Sequence, residues 1–373
     1  MTSIRVYWVS AVFGYVVQTK CISSIQSLNT NKNNDNNTNN SITVYLTFIY
    51  FASWLLVFPL SKLLKDHKTS NILPVAGTSS RSERTDAPTT NSSNLSVTNK
   101  DTGLFSITNI KYFFKLLLLS ILVLIPIFTY NLALSISPAF DVSLIQNTSI
   151  FEITILLYGI CGLARRKNVF RNYVIMMIAL LGILIVSYTK ATCDLLAGKL
   201  SVNEETGELN DPFLFDRLKS ALICGLGNLL IGPFAVLYNR WFNTEKHTLV
   251  KQGNHLFWIG LINMILLLPF FPTISNTTVS LLYSGRSFWF PVLTSIALGT
   301  LPNLLSLVYL NRKAIPEYLI TTNLGIIITM GLAEWICEPN QTYIVRWEVI
   351  GYLVLAVCCI ILSIIFHDTR HFR

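Results

Sequence analysis

Charge is scarce in this sequence. Only 13% of its 373 residues are Asp, Glu, Lys or Arg, about half the ~25% that soluble domains carry. A water-facing globular domain is excluded on that ground. Histidine is scarce too: His67, His247, His255, His367 and His371 fall in loops or at helix ends, without HExxH or any other ligand spacing. No GxxxxGK[ST] loop is present, so P-loop nucleotide hydrolysis is excluded, and no nucleophile constellation stands out. The sequence therefore leads to an expectation of no enzyme, no cofactor and no metal. The seven cysteines form no framework. Cys161, Cys224, Cys358 and Cys359 lie in or beside apolar runs, where a thiol acts as a small hydrophobe. The spacing of Cys193 and Cys337 leaves their pairing open.

Long apolar runs are abundant. The chain is 52% hydrophobic with mean hydropathy +0.52, and several runs approach the ~20 residues that cross a hydrocarbon core. Ten segments stand out, centred on 6–17, 41–60, 112–132, 137–163, 173–188, 218–238, 256–271, 288–310, 315–336 and 349–366. They predict an all-α integral membrane protein of about ten transmembrane helices. The first run follows Arg5 like a signal peptide. It ends in Gln18-Thr19-Lys20 without a small-residue cleavage site, so it reads as a retained helix.

The net charge of +9 would point to nucleic acid in a soluble protein. In a membrane protein it marks cytoplasmic loops, which collect Lys and Arg, so no nucleic-acid partner is expected. Ten spans with both termini cytoplasmic put 20 of the 28 basic residues inside and leave eight outside. Sequons at Asn36, Asn39, Asn276 and Asn340 then face outward as glycosylation candidates, whereas those at Asn91 and Asn94 stay inside. Two tracts have little to bury, 21–40 with its asparagine run and 66–110 with its Ser, Thr and Asn; both are expected to be disordered. A polar linker at 191–217 separates a first five-span unit, 1–190, from a second, 218–373. Five is odd, so the second unit enters the membrane with opposite orientation, as in inverted repeats.

Several stretches resemble the drug/metabolite transporter superfamily (EamA-like), and within it the F branch of solute carrier family 35 with its fungal vacuolar relatives. Tyr7-Trp8 with Gln18, the run 44–51 and Phe58-Pro59-Leu60 are similar to that branch's first two helices. The run 131–151 resembles its fourth-helix entry. Gly331-Leu332-Ala333-Glu334-Trp335, Glu338-Pro339 and Ile350-Gly351 resemble its closing pattern. The chain departs where the family has an acidic residue between helices four and five, with Arg165-Arg166-Lys167, and where it has a serine-rich run, with Ile145-Gln146-Asn147-Thr148. The resemblance implies two inverted five-helix repeats around a central cavity, alternating access, and substrates among nucleotide sugars, phosphorylated metabolites, vitamins or other small solutes. It also implies a vacuolar membrane, with Golgi or endoplasmic reticulum as the alternative.

An ionisable group inside a bilayer is costly unless it faces protein or water. Asp141, Thr148 and Glu152 share one helical face (i, i+7, i+11), beside Gln146 and Asn147. Asp141 or Glu152 either binds a cationic substrate group, carries a coupled proton, or forms a structural pair such as Glu152 with Lys115. Tyr318, Thr321, Thr322 and Asn323 are expected to face this stripe across the cavity. Asn228, flanked by Gly225 and Gly232, reads as a packing residue or a substrate contact, and Asn303 repeats the theme. The expectation is a secondary transporter or exchanger of small organic solutes, with a proton or counter-substrate as possible second partner and the bilayer as its solvent. The rivals are a non-transporting interaction or regulatory protein that keeps the fold, and a polytopic membrane enzyme.

Overall fold

A computed structural model describes residues 2–30, 36–69, 107–160, 169–196, 212–242, 249–273, 286–313, 316–337 and 346–368. Every regular element among the described residues is helical. In chain order these are α1 (Thr2–Thr30), α2 (Asn36–Leu55), α3 (Val57–Thr69), α4 (Ile107–Leu134), α5 (Ala139–Ile160), α6 (Val169–Leu196), α7 (Pro212–Asn228), α8 (Ile231–Phe242) and α9 (Leu249–Leu267). A 3-10 turn (Leu268–Thr273) follows, then α10 (Arg286–Thr294), a π-helical segment (Ser295–Thr300), α11 (Leu301–Lys313), α12 (Pro316–Cys337) and α13 (Arg346–Asp368).

Proline sets where the long helices break. It lacks an N–H, and its ring crowds the carbonyl four residues back. Pro59 ends α2 at Leu55, and the Leu56 N–H turns to the Ser53 carbonyl at 3.1 Å. Pro233 acts on Leu229, where α7 gives way to α8 and the Leu230 N–H bonds Gly227 O at 3.1 Å. Pro302 acts on Leu298, inside the π-helical segment. Pro316 and Pro212 instead open α12 and α7, where the missing donor has no helical partner to lose.

Among the described residues six segments are long and apolar enough to cross a membrane by length and composition: Ile42–Leu63, Ile110–Leu134, Arg217–Phe242, Leu249–Phe271, Phe288–Asn311 and Arg346–Ser363. Tyr173–Thr189 and Thr321–Cys337 are shorter apolar helices. The first apolar run extends well beyond 6–17, because α1 continues to Thr30 through part of the tract expected to be disordered. Ile22 and Ile25 are buried, and Gln26 donates to the Asn131 carbonyl at 2.7 Å, which holds that extension on α4. Asn36 and Asn39 fall at the start of α2, while Asn276, Asn340 and most of the 66–110 and 191–217 tracts lie outside the described residues.

The helices pack in pairs: α6 with α13, α5 with α12, α1 with α11, α2 with α9, and α4 with α7. Small residues let two of these pairs approach closely. A Cβ on Gly14 of α1 would sit 2.7 Å from the Gly299 carbonyl of the π-helical segment, and one on Gly351 of α13 would sit 3.1 Å from the Gly182 carbonyl of α6. Gly225, expected at a helix contact, has nothing within 4 Å; its neighbour Gly227 packs on Thr129 of α4 instead. Outward faces of α6 and α13 present Met177, Leu181, Leu184, Leu353, Val357 and Ile360, a surface that matches lipid.

Candidate functional site

A cavity of about 300 Å³ lies inside the bundle, walled by α1, α2, α4, α5, α8, α9, α11 and α12. Among the described residues that line it there is no Asp, Glu, Lys, Arg or His. Its polar groups are amides, phenols, an indole and a hydroxyl, set among Val123, Ile127, Leu304, Leu307, Val308 and Ile326.

The elements that hold these groups are tied together by hydrogen bonds. Tyr15 of α1 donates its hydroxyl to Gln146 Oε1 of α5. Thr19, one turn on, gives its single hydroxyl hydrogen to the Tyr15 carbonyl at 2.9 Å. Tyr130 of α4 is therefore the donor in its 2.7 Å bond with Thr19. Asn131 donates to Thr47 of α2 at 2.9 Å while accepting from Gln26 at its carbonyl. The Trp8 indole reaches Thr321 of α12 at 3.1 Å. These bonds tie α1 to α4, α5 and α12, and α4 to α2. They also explain why α1 is not among the six segments selected by hydropathy: Gln18, Thr19 and Gln26 are buried there and lower its apolar average.

Of the residues singled out from the sequence, Gln146, Asn147, Asn303, Thr322 and Asn323 line the cavity. Asp141 does not. It is paired with Arg217 of α7, at 2.6 Å from Nε and 2.5 Å from a terminal guanidinium nitrogen. It sits in the first turn of α5, where a carboxylate also suits the helix dipole. Thr148 bonds back to the Leu144 carbonyl at 2.6 Å, the self-satisfied geometry common for helical Thr. Thr321 donates to Tyr318 O at 2.7 Å, and Tyr318 packs with Ile4, Ala11 and Leu310 instead of facing the cavity. Asn228 is buried against Cys224 at 3.4 Å. The Glu152 side chain lies outside the described residues, and the Lys115 ammonium stands 5.4 Å over the Trp241 ring. The hydrogen-bonding cavity residues missed from the sequence are the aromatics Tyr15, Tyr50, Trp54, Tyr130 and Tyr238 and the amides Gln18, Asn239, Gln252 and Asn311. The i, i+4 spacing of Tyr50 and Trp54 was a visible signal for a shared face, but an aromatic pair in a span is also what lipid-facing helices show.

This arrangement defines a helical membrane protein with an internal, uncharged, hydrogen-bonding pocket. Among the described residues there is no group of three or more His, Cys, Asp or Glu that could hold a metal ion. The family model described as "ceramide synthase regulator" matches residues 2–366, and the chain belongs to that family. It is similar to the mannosyl phosphorylinositol ceramide synthase regulatory protein CSG2 of Saccharomyces cerevisiae, with 50% identity over 413 aligned positions covering 99% of each chain. No solved structure matches.

These findings overturn the transporter reading. The chain is not a member of the drug/metabolite transporter superfamily, EamA-like or solute carrier 35-like, and secondary transport of a solute is not its assigned class. The stretches that carried the resemblance are apolar runs punctuated by Gly, Pro and single polar residues. Such punctuation sets kinks and close helix contacts, which many membrane bundles need whatever they do. With transport go the solute, the coupled proton and the counter-substrate as partners. The chain is not an enzyme; its family is one of regulators.

Proposed function

We propose that this chain is a membrane-embedded, non-catalytic regulatory subunit of a synthase that builds mannosylated phosphorylinositol ceramide. The observation that carries this is the family match across almost the whole chain, together with 50% identity end to end to a regulator of that synthase. The test is complementation. Yeast cells lacking the relative should regain mannosyl phosphorylinositol ceramide on expression of this chain, and the tagged protein should co-purify with the synthase. An unchanged ratio of mannosylated lipid to precursor, with no synthase recovered, sinks the proposal.

The same reading takes in the finer topology. Ten crossings with both termini cytoplasmic are supported by the basic-residue asymmetry. A pseudo-two-fold relation between 1–190 and 218–373 is supported by the pairing pattern: α1 with α11 mirrors α7 with α4, and the pairs α2–α9, α5–α12 and α6–α13 each join equivalent positions of the two units. Residence in the Golgi or endoplasmic reticulum, where the lipid would be assembled, replaces the vacuolar site, whose support came with the transporter resemblance. Endoglycosidase treatment is expected to remove glycan from Asn276 and Asn340 and none from Asn91 or Asn94; glycan on either of the latter pair would reverse this topology.

A further inference from the structure

Building on the regulatory reading above, we infer that the cavity binds the uncharged head of one ceramide-type lipid, an amide carrying free hydroxyls on a long chain. Three observations lead there. Among the described residues the wall holds no charged side chain, so a phosphate brought against them would lose water without gaining a counterion, a severe cost in a low-dielectric site. Phosphorylinositol lipids and nucleotide sugars are disfavoured on that ground. The polar groups that are present, Gln146, Asn147, Asn303 and Asn323 among them, supply both donors and acceptors, which matches an amide and hydroxyls. Finally, the Tyr238 hydroxyl is buried on the cavity wall without a hydrogen-bond partner among the described residues. Buried polar groups are nearly always satisfied, so this phenol is a place where a ligand completes the site.

The remaining wall is aliphatic and continues the match into the first methylenes of the chain. A volume of about 300 Å³ is at the lower end for ligand pockets, sized for a head group and not for whole acyl chains. Binding there would let the ceramide pool bias how α8, α11 and α12 sit, and through them the contact with the synthase.

The experiment uses the full chain in phosphatidylcholine nanodiscs and a short-chain ceramide with a diazirine close to the amide. Light-driven labelling, mapped by peptide mass spectrometry, should fall on α5, α8, α11 and α12. Unlabelled ceramide should compete, and phosphorylinositol ceramide and a long-chain alcohol should not. Tyr238→Phe keeps the ring and removes only the hydroxyl, so labelling should drop about five- to tenfold, the worth of one lost hydrogen bond, with an unchanged melting temperature. Asn303→Leu provides a second, independent variant with the same expected loss. Equal competition by phosphorylinositol ceramide or by the alcohol overturns the inference, as does labelling that neither substitution reduces. Complementation run in parallel separates the two claims. Restored mannosylation without lipid labelling removes the inference and leaves the regulatory reading. Labelling without restoration removes the regulatory reading.

Discussion

Replacing Arg217 by alanine should destabilise the protein by about 2–3 kcal/mol, below the upper range for fully buried pairs because both partners retain some exposure. The side chains of Arg217 and Asp141 are 21% and 13% exposed, and the pair joins the first turn of α5 to α7. Deleting the guanidinium strands a carboxylate in an interior that has few alternatives for it. Asp141→Asn in the Arg217→Ala background should recover much of the loss, because the neutral amide carries a smaller desolvation penalty. Coupling in a double-mutant cycle should exceed about 1 kcal/mol. The measurement is thermal unfolding of detergent-purified protein by size-exclusion chromatography. Strictly additive effects of the two substitutions would mean that the pair is incidental to the fold.

Alanine at Gly14 and alanine at Gly225 should move stability in opposite directions. Both positions are helical, and Gly→Ala in a helix favours folding by roughly 0.5–1 kcal/mol through reduced backbone entropy in the unfolded chain. Gly225 has open space around a new Cβ, so it should show that gain. Gly14 does not have that space: the Cβ would meet the Gly299 carbonyl at 2.7 Å and the Asn303 backbone nitrogen at 3.0 Å. Backbone on both sides must shift, an overpacking cost of about 1–3 kcal/mol. Because Asn303 lines the cavity, Gly14→Ala should also weaken whatever the cavity binds. Equal melting temperatures for the two variants would show that α1 and the π-helical segment are not held at contact distance.

Run lengths and low charge were sufficient to make this a helical membrane protein, because crossing hydrocarbon requires a length of apolar helix that local sequence displays directly. The site was only half legible. Gln146, Asn147, Asn303, Thr322 and Asn323 drew attention as polar groups in apolar spans, and each lines the cavity. Asp141 drew more attention still, yet it is neutralised by Arg217, a residue 76 positions away in sequence. Its partner was hidden because pairing across helices leaves no mark on either helix alone. The same applies to Tyr15, Tyr130 and Tyr238, whose roles depend on which neighbours they meet.

Function was the least legible. Glycine and proline punctuation made the chain resemble a transporter, since packing residues are shared by bundles with different tasks, whereas the family of ceramide synthase regulators matches from residue 2 to 366. What the sequence determined alone was its solvent and its helices: bilayer length and apolar composition are local properties. What only the tertiary structure decided was the interior. It showed that Asp141 of α5 is spent on an ion pair and that, among the described residues, the cavity wall is uncharged and the buried Tyr238 hydroxyl stands on it without a partner. Those are relations between helices far apart in the chain, and they exist only once the helices have packed.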